Sequence, residues 1–186
     1  MLKLSAILIV FVLLCGKAWS QDVFAGLKCG VDIPKALTGK RMSNETVAVT
    51  ESRHKDIGLK DLGASMGEPT FLIGWQICGN EFEMLVNNKT NQIRDVIQMP
   101  AHSKSSPEAV GECQINGKDV PGGVIAILDN SAGYNPASMS FNDLMKTMLK
   151  AKVAWQMSDA LQRFVLLPVG SVVCPLESVV TADGGS

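Results

Sequence analysis

TFLIGWQICGNEFEMLVN, Thr70 to Asn87, is the stretch that decides how this chain folds. Two runs rich in β-branched, aromatic and aliphatic residues, Thr70–Cys78 and Glu81–Asn87, flank Gly79-Asn80, a dipeptide with the chemistry of a two-residue hairpin turn. In the second run Glu81 and Glu83 alternate with Phe82 and Met84, the period of a half-buried strand, so both glutamates read as its solvated face. NNKTN (Asn87 to Asn91) is a polar turn. Ile93 to Met99 then carries Ile93, Val96 and Ile97 and predicts a third antiparallel strand, ended by Pro100. Three strands joined by short turns make a meander.

Working downstream, AHSKSSPEAVG (101–111) is dense in serine and reads as a linker between two nearly equal halves, 21–100 and 112–178, of one domain. Asn116-Gly117 is the dipeptide that best favours a type I′ turn. Val124 to Leu128 reads as a fully buried strand, followed by a turn-rich loop over Asp129–Ala137. Ser140, with Asp143 three residues on, resembles a capping box, and Phe141, Leu144, Met145, Met148 and Leu149 fall on one helical stripe. That periodicity predicts an amphipathic helix over about 140–151; its Met and Phe stripe fits a docking face, but facing the core is the favoured reading. A last hairpin is expected from Val153–Met157 and Arg163–Leu167, ended by Pro168. Trp75-Gln76-Ile77 and Trp155-Gln156-Met157 each open a hairpin, with Phe82 and Phe164 on the returning arms. That similarity fits a duplicated sheet unit, or two ordinary hairpins that each bury a large aromatic.

Upstream, Asp32 and Pro34 predict the start of a short helix. TVAVT (Thr46 to Thr50) is compatible with a strand, or with a helix begun near Asn44; pattern alone leaves both open. Thr181 to Ser186 reads as a frayed tail. The fold class is therefore α+β: antiparallel hairpins, mainly a meander, with the 140–151 helix packed on the sheet.

The first twenty residues carry a different message. Lys3, the apolar run Leu4–Leu14 and the small residues of Ala18-Trp19-Ser20 make a secretory signal peptide, with the cut expected before Gln21. Eleven apolar residues are too few to span a bilayer, which takes about 20. Cys15-Gly16 superficially resembles a lipid-attachment site, but Leu14 stands where such sites need a small residue, so cleavage after Ser20 is the favoured reading. The 166 residues that remain suit one domain of ordinary size. They hold fifteen basic and eighteen acidic residues, a net charge of −3 with both signs dispersed and no basic run, which argues against nucleic acid as a partner.

Cleavage removes Cys15 and leaves four cysteines, Cys29, Cys78, Cys113 and Cys174. No two of them are spaced C-x-x-C, which argues against a zinc ribbon or a dithiol redox site. An even number in an oxidising compartment predicts two structural disulfides, in any of three pairings.

The motifs that bear on chemistry are sparse. Gly63-Ala-Ser65-Met-Gly67 matches the G-x-S-x-G nucleophile elbow, which requires a strand before the serine and a helix after it. Glu68-Pro69 introduces a strand instead, and the only downstream histidine is His102. Glu51-Ser-Arg-His54 has the E-x-x-H spacing that aims a carboxylate and an imidazole from one helical turn, but it occurs once, where di-iron bundles need it twice. His54 and His102, the only histidines, have no metal-ligand spacing between them. Asn44-Glu-Thr46 and Asn88-Lys-Thr90 are N-glycosylation acceptors in a eukaryotic host.

The chain thus reads as an exported, non-catalytic binding or structural module acting on a protein or envelope component. It is assigned no metal, no cofactor and no transmembrane segment in its mature part. The alternative reading is a small exported hydrolase using Ser65 or a site centred on His54.

Overall fold

The computed structural model describes residues 22–65 and 67–179. The predicted export segment with Cys15, the predicted cut before Gln21, Met66 of the G-x-S-x-G motif and the tail over 181–186 lie outside the described residues.

The described residues form two antiparallel sheets with a few short helices. In α1 (Ile33–Leu37) the Asp32 carboxylate accepts from the Lys35 N–H, and Ile33 and Leu37 turn inward. The ambiguous stretch at 46–53 is a helix, α2 (Val47–Arg53). Its Val47 and Val49 stay exposed, and Thr50 bonds back to the Thr46 carbonyl.

The first sheet is the expected meander with one further strand: β1 (Lys60–Ser65), β2 (Thr70–Ile77), β3 (Asn80–Asn87) and β4 (Ile93–Gln98), hydrogen-bonded in sequence order. The β2–β3 turn falls one residue earlier than its dipeptide suggests. Ile77 already pairs with Asn80, and the corner is Cys78-Gly79, at φ 53° and 78°. Both corner residues are left-handed, the requirement of a type I′ turn. Cys29 bonds to Cys78, so the N-terminal segment is tied to that corner.

The second sheet contains β5 (Glu108–Gly111), β6 (Gln114–Ile115), β7 (Lys118–Asp119), β8 (Val124–Leu128), β9 (Met148–Ser158), β10 (Arg163–Leu166) and β11 (Val172–Pro175). The order is β5-β8-β9-β11-β6-β7, with β10 also paired to β9. Asn116 and Gly117 (φ 52° and 75°) form the predicted tight corner between β6 and β7. An isolated bridge from Ala109 to Val179 brings the far side of the sheet back to β5, and the Cys113–Cys174 disulfide closes the same region. Of the predicted linker, Glu108–Gly111 is strand, with Ala109 fully buried.

The helix near 140 is shorter than its stripe implied. Ser140 accepts from the Asp143 N–H as expected, but α3 spans only Phe141–Lys146. From Met148 the chain is strand, with Leu149 and Ala151 inward and Lys150 and Lys152 outward. The period-two pattern of β9 takes Met148 and Leu149 out of the helix, because they pair with β11 while the strand continues into its β8 pairing from Ala151. Leu144 remains against that core, whereas Phe141 (68 % exposed) and Met145 (46 %) face outward.

The central strands of each sheet are covered on both faces, and three apolar clusters result. One lies between the first sheet and the N-terminal segment (Phe24, Leu37, Trp75, Met84, Ile93), and one lies inside the curled second sheet (Val124, Ala126, Leu128, Val172, Leu176). The third is the seam between the sheets: Leu72, Leu85 and Met99 against Ile125, Ile127 and Phe164. Asp95 on β4 reinforces the seam by accepting from the Phe164 N–H at 2.8 Å. The two Trp-Gln hairpins are not equivalent, since Trp75 faces the outer core and Trp155 the seam.

Candidate functional site

One end of the seam is polar. Glu81, Glu83 and Leu85 share a face of β3, and that face is turned toward the second sheet. Leu85 is buried in the seam, and so is Glu83, at 6 % exposure. The reading of the two glutamates as a solvated face is therefore corrected for Glu83. Alternation reports the two faces of a strand, but here a second layer covers the face that carries the charges.

Two further side chains complete the cluster. Glu108 on β5 reaches it from the opposite sheet, on the same strand face as Val110 of the seam. His102 enters from the connection between the sheets. That connection is held at both ends: the Met99 N–H bonds to the Glu81 carbonyl, and Ser103 and Ser106 bond to each other through both backbone pairs. Buried Asn130 clamps the connection by bonding to the Lys104 carbonyl, and its own N–H donates to the Ser105 carbonyl. The histidine is thereby fixed over the glutamates.

His102 Nε2 lies 2.5 Å from Glu81 Oε2 and 3.9 Å from Glu108 Oε2. One ligand-type atom from each of the three residues falls within 4.8 Å of the others. Glu83 stands next along the face, and its Oε2 has no hydrogen-bond partner. Its carboxyl is pushed up to about 8, first by burial and then by the charges of Glu108 and Glu81. Burial also raises the Glu108 carboxyl; His102 opposes that rise and Glu81 adds to it. Among the described residues no lysine or arginine pairs with any of these glutamates.

A second polar cluster anchors the N-terminus. Asp22 Oδ2 accepts from Arg53 at 2.8 Å and lies 2.6 Å from His54 Nε2, while Arg53 also makes two bonds to Glu45. Burial pushes the Asp22 carboxyl up, but hydrogen bonds from Arg53, His54 and the Phe24 N–H outweigh it and hold the group below the usual range. His54 packs edge-on against Phe24. Glu51, the other half of E-x-x-H, diverges from His54 and accepts from the Asp61 N–H.

Ser65 is exposed at the end of β1 and leads into β2 rather than a helix. It stands about 16 Å of strand from Lys60, the end nearer His54. The structure therefore brings His102 together with three glutamates and His54 with Asp22, and it leaves Ser65 apart from both. Asn44 is exposed, whereas Asn88 is half-buried with its Oδ1 buried and unpaired.

The third feature is an open groove of about 580 Å³ on the second sheet. Met145, Met148, Pro175 and Val179 supply its apolar lining, and Glu112, Asp119 and Glu177 its charge. The sequence left a docking face open for the Met and Phe stripe but favoured core, and both methionines instead line this groove. No protein-family model, characterised protein or solved structure matches this chain.

Proposed function

We propose that this protein is an exported, non-catalytic binding module whose working face is the groove beside α3, and that its partner is a cationic, partly apolar protein segment. Two disulfides suit an oxidising compartment, and among the described residues no helix is long and apolar enough to cross a membrane. The observation that carries the reading is the composition of the groove, where two exposed methionines lie among three carboxylates and no basic residue lines the cleft. Unbranched thioether side chains adapt to varied apolar partners, and fixed carboxylates select the sign of the partner's charge.

The test is an NMR titration of the mature protein with a decapeptide of alternating Lys and Leu, and with a Glu/Leu peptide of the same length. The reading expects shifts confined to the groove residues with the Lys peptide alone, weakened by salt and lost in Glu177→Lys. Equal binding of both peptides, or shifts elsewhere on the surface, refutes it.

A further inference from the structure

We propose that Glu81, His102 and Glu108 form a divalent transition-metal site across the seam between the two sheets, with Glu83 as the buried carboxylate behind it. This goes beyond the groove and does not depend on it.

The first argument is geometric. A tetrahedral zinc ion with bonds of about 2.0–2.1 Å sets its ligand atoms about 3.4 Å apart. The Glu81–His102 and His102–Glu108 separations, 2.5 and 3.9 Å, bracket that value. The Glu81 and Glu108 ligand atoms lie within 4.8 Å of each other, so side-chain shifts of about 1 Å at the edge of the seam bring all three to that spacing. The three ligands come from β3, from the connection and from β5, all with clamped backbones, so the donor set is organised before the metal arrives.

The second argument is independent of that spacing. Glu83 is more than nine-tenths buried, shares the strand face of Glu81, and leaves Oε2 without a donor. A buried carboxylate oxygen with no partner is costly unless a cation or a proton satisfies it. Glu81 and Glu108 with one imidazole, and no lysine or arginine paired to them among the described residues, make a donor set whose negative charge a divalent ion offsets. The imidazole decides the class of metal. Calcium and magnesium select all-oxygen shells, whereas mixed imidazole and carboxylate sets suit zinc and its first-row neighbours. With the Glu81 and His102 side chains about 30 % exposed, the ion's remaining position opens to water.

The experiment uses the mature, disulfide-intact protein, stripped with chelator and titrated with Zn²⁺ and separately with Ca²⁺, read by calorimetry and native mass spectrometry. One Zn²⁺ per chain is expected, with no stoichiometric Ca²⁺. His102→Ala and Glu108→Gln should each weaken zinc by more than roughly 100-fold, and Glu83→Gln by about 10-fold. His54→Gln, at the other histidine, should leave the affinity unchanged. Because the His102 ring is partly exposed, His102→Ala decides the matter even where Glu108→Gln fails to fold. Absence of stoichiometric zinc overturns the proposal, as does zinc binding that survives His102→Ala or is lost in His54→Gln. Calcium binding in preference to zinc overturns it too.

Discussion

Leu85→Ala separates the two-layer architecture from the simpler hairpin picture. Leu85 shares its strand face with Glu81 and Glu83. If that face met solvent, truncating the leucine would cost within about 0.5 kcal/mol, as surface substitutions do. In the structure Leu85 is 1 % exposed, pairs with Leu72 across the sheet, and shares the seam with Ile125, Ile127 and Phe164 of the other sheet. The substitution removes three carbons, worth about 0.8 kcal/mol each in transfer, or about 2.4 kcal/mol together. Neither sheet can close the gap alone, because each is packed on its other face. A residual cavity therefore brings the expected loss to about 3 kcal/mol. The assay is urea unfolding followed by circular dichroism and by the fluorescence of Trp75 and Trp155, one in the outer core and one at the seam. A double-mutant cycle with Ile127→Ala should give a coupling of about 0.5 kcal/mol or more. A loss under about 0.5 kcal/mol, or strict additivity with Ile127→Ala, would refute the packed seam.

Three other outcomes follow from the same structure. The two disulfides span 49 and 61 residues of non-overlapping chain, so chain entropy assigns each about 4 kcal/mol; the Cys29→Ser/Cys78→Ser and Cys113→Ser/Cys174→Ser pairs should lose similar stability by urea titration, and combining them should add. Asp22 is held below its ordinary range, so its contribution is present above pH 4 to 5 and is lost as pH falls through the folded value. Asp22→Asn should therefore cost about 1.5–2 kcal/mol at pH 7, and the gap to wild type should close below about pH 4 in acid unfolding curves; a constant gap counts against the Arg53–Asp22–His54 cluster. Phe141→Ser should change the melting free energy by less than about 0.5 kcal/mol because the ring is 68 % exposed, where a core position would cost several times more.

The hairpin chemistry was legible in the sequence because it is local. Left-handed φ at Asn116-Gly117 follows from residues adjacent in the chain, as does the Asp32 cap on α1. Errors arise where two local patterns overlap and a distant partner chooses between them. Met148 and Leu149 continue the helical stripe from Phe141, yet Leu149, Ala151 and the outward Lys150 and Lys152 also make a strand pattern. Strand wins because β11 pairs with Met148–Lys150 and β8 takes over from Ala151, and nothing within the segment announces either partner. The same competition leaves Met145 outside the core and makes the groove.

The polar seam was illegible for a related reason, and it bears on where function can hide in a small two-sheet protein. Period two along β3 assigns Glu81, Glu83 and Leu85 to one face, but it does not say whether water or another sheet lies over that face. Leu85 was the clue, since an aliphatic residue in register with two acids is out of place on a wholly wet strand. The partners that convert those acids into a cluster stand at positions 102 and 108, a spacing that no helical or strand repeat relates to 81. They meet only because the connection after β4 crosses from one sheet to the other and the first strand beyond it faces back across the seam. A buried carboxyl oxygen without a hydrogen-bond partner at such a junction costs stability unless a proton or a cation satisfies it. Glu83, where an apolar side chain would pack without an unpaired oxygen, is therefore a feature of this seam that packing alone does not explain.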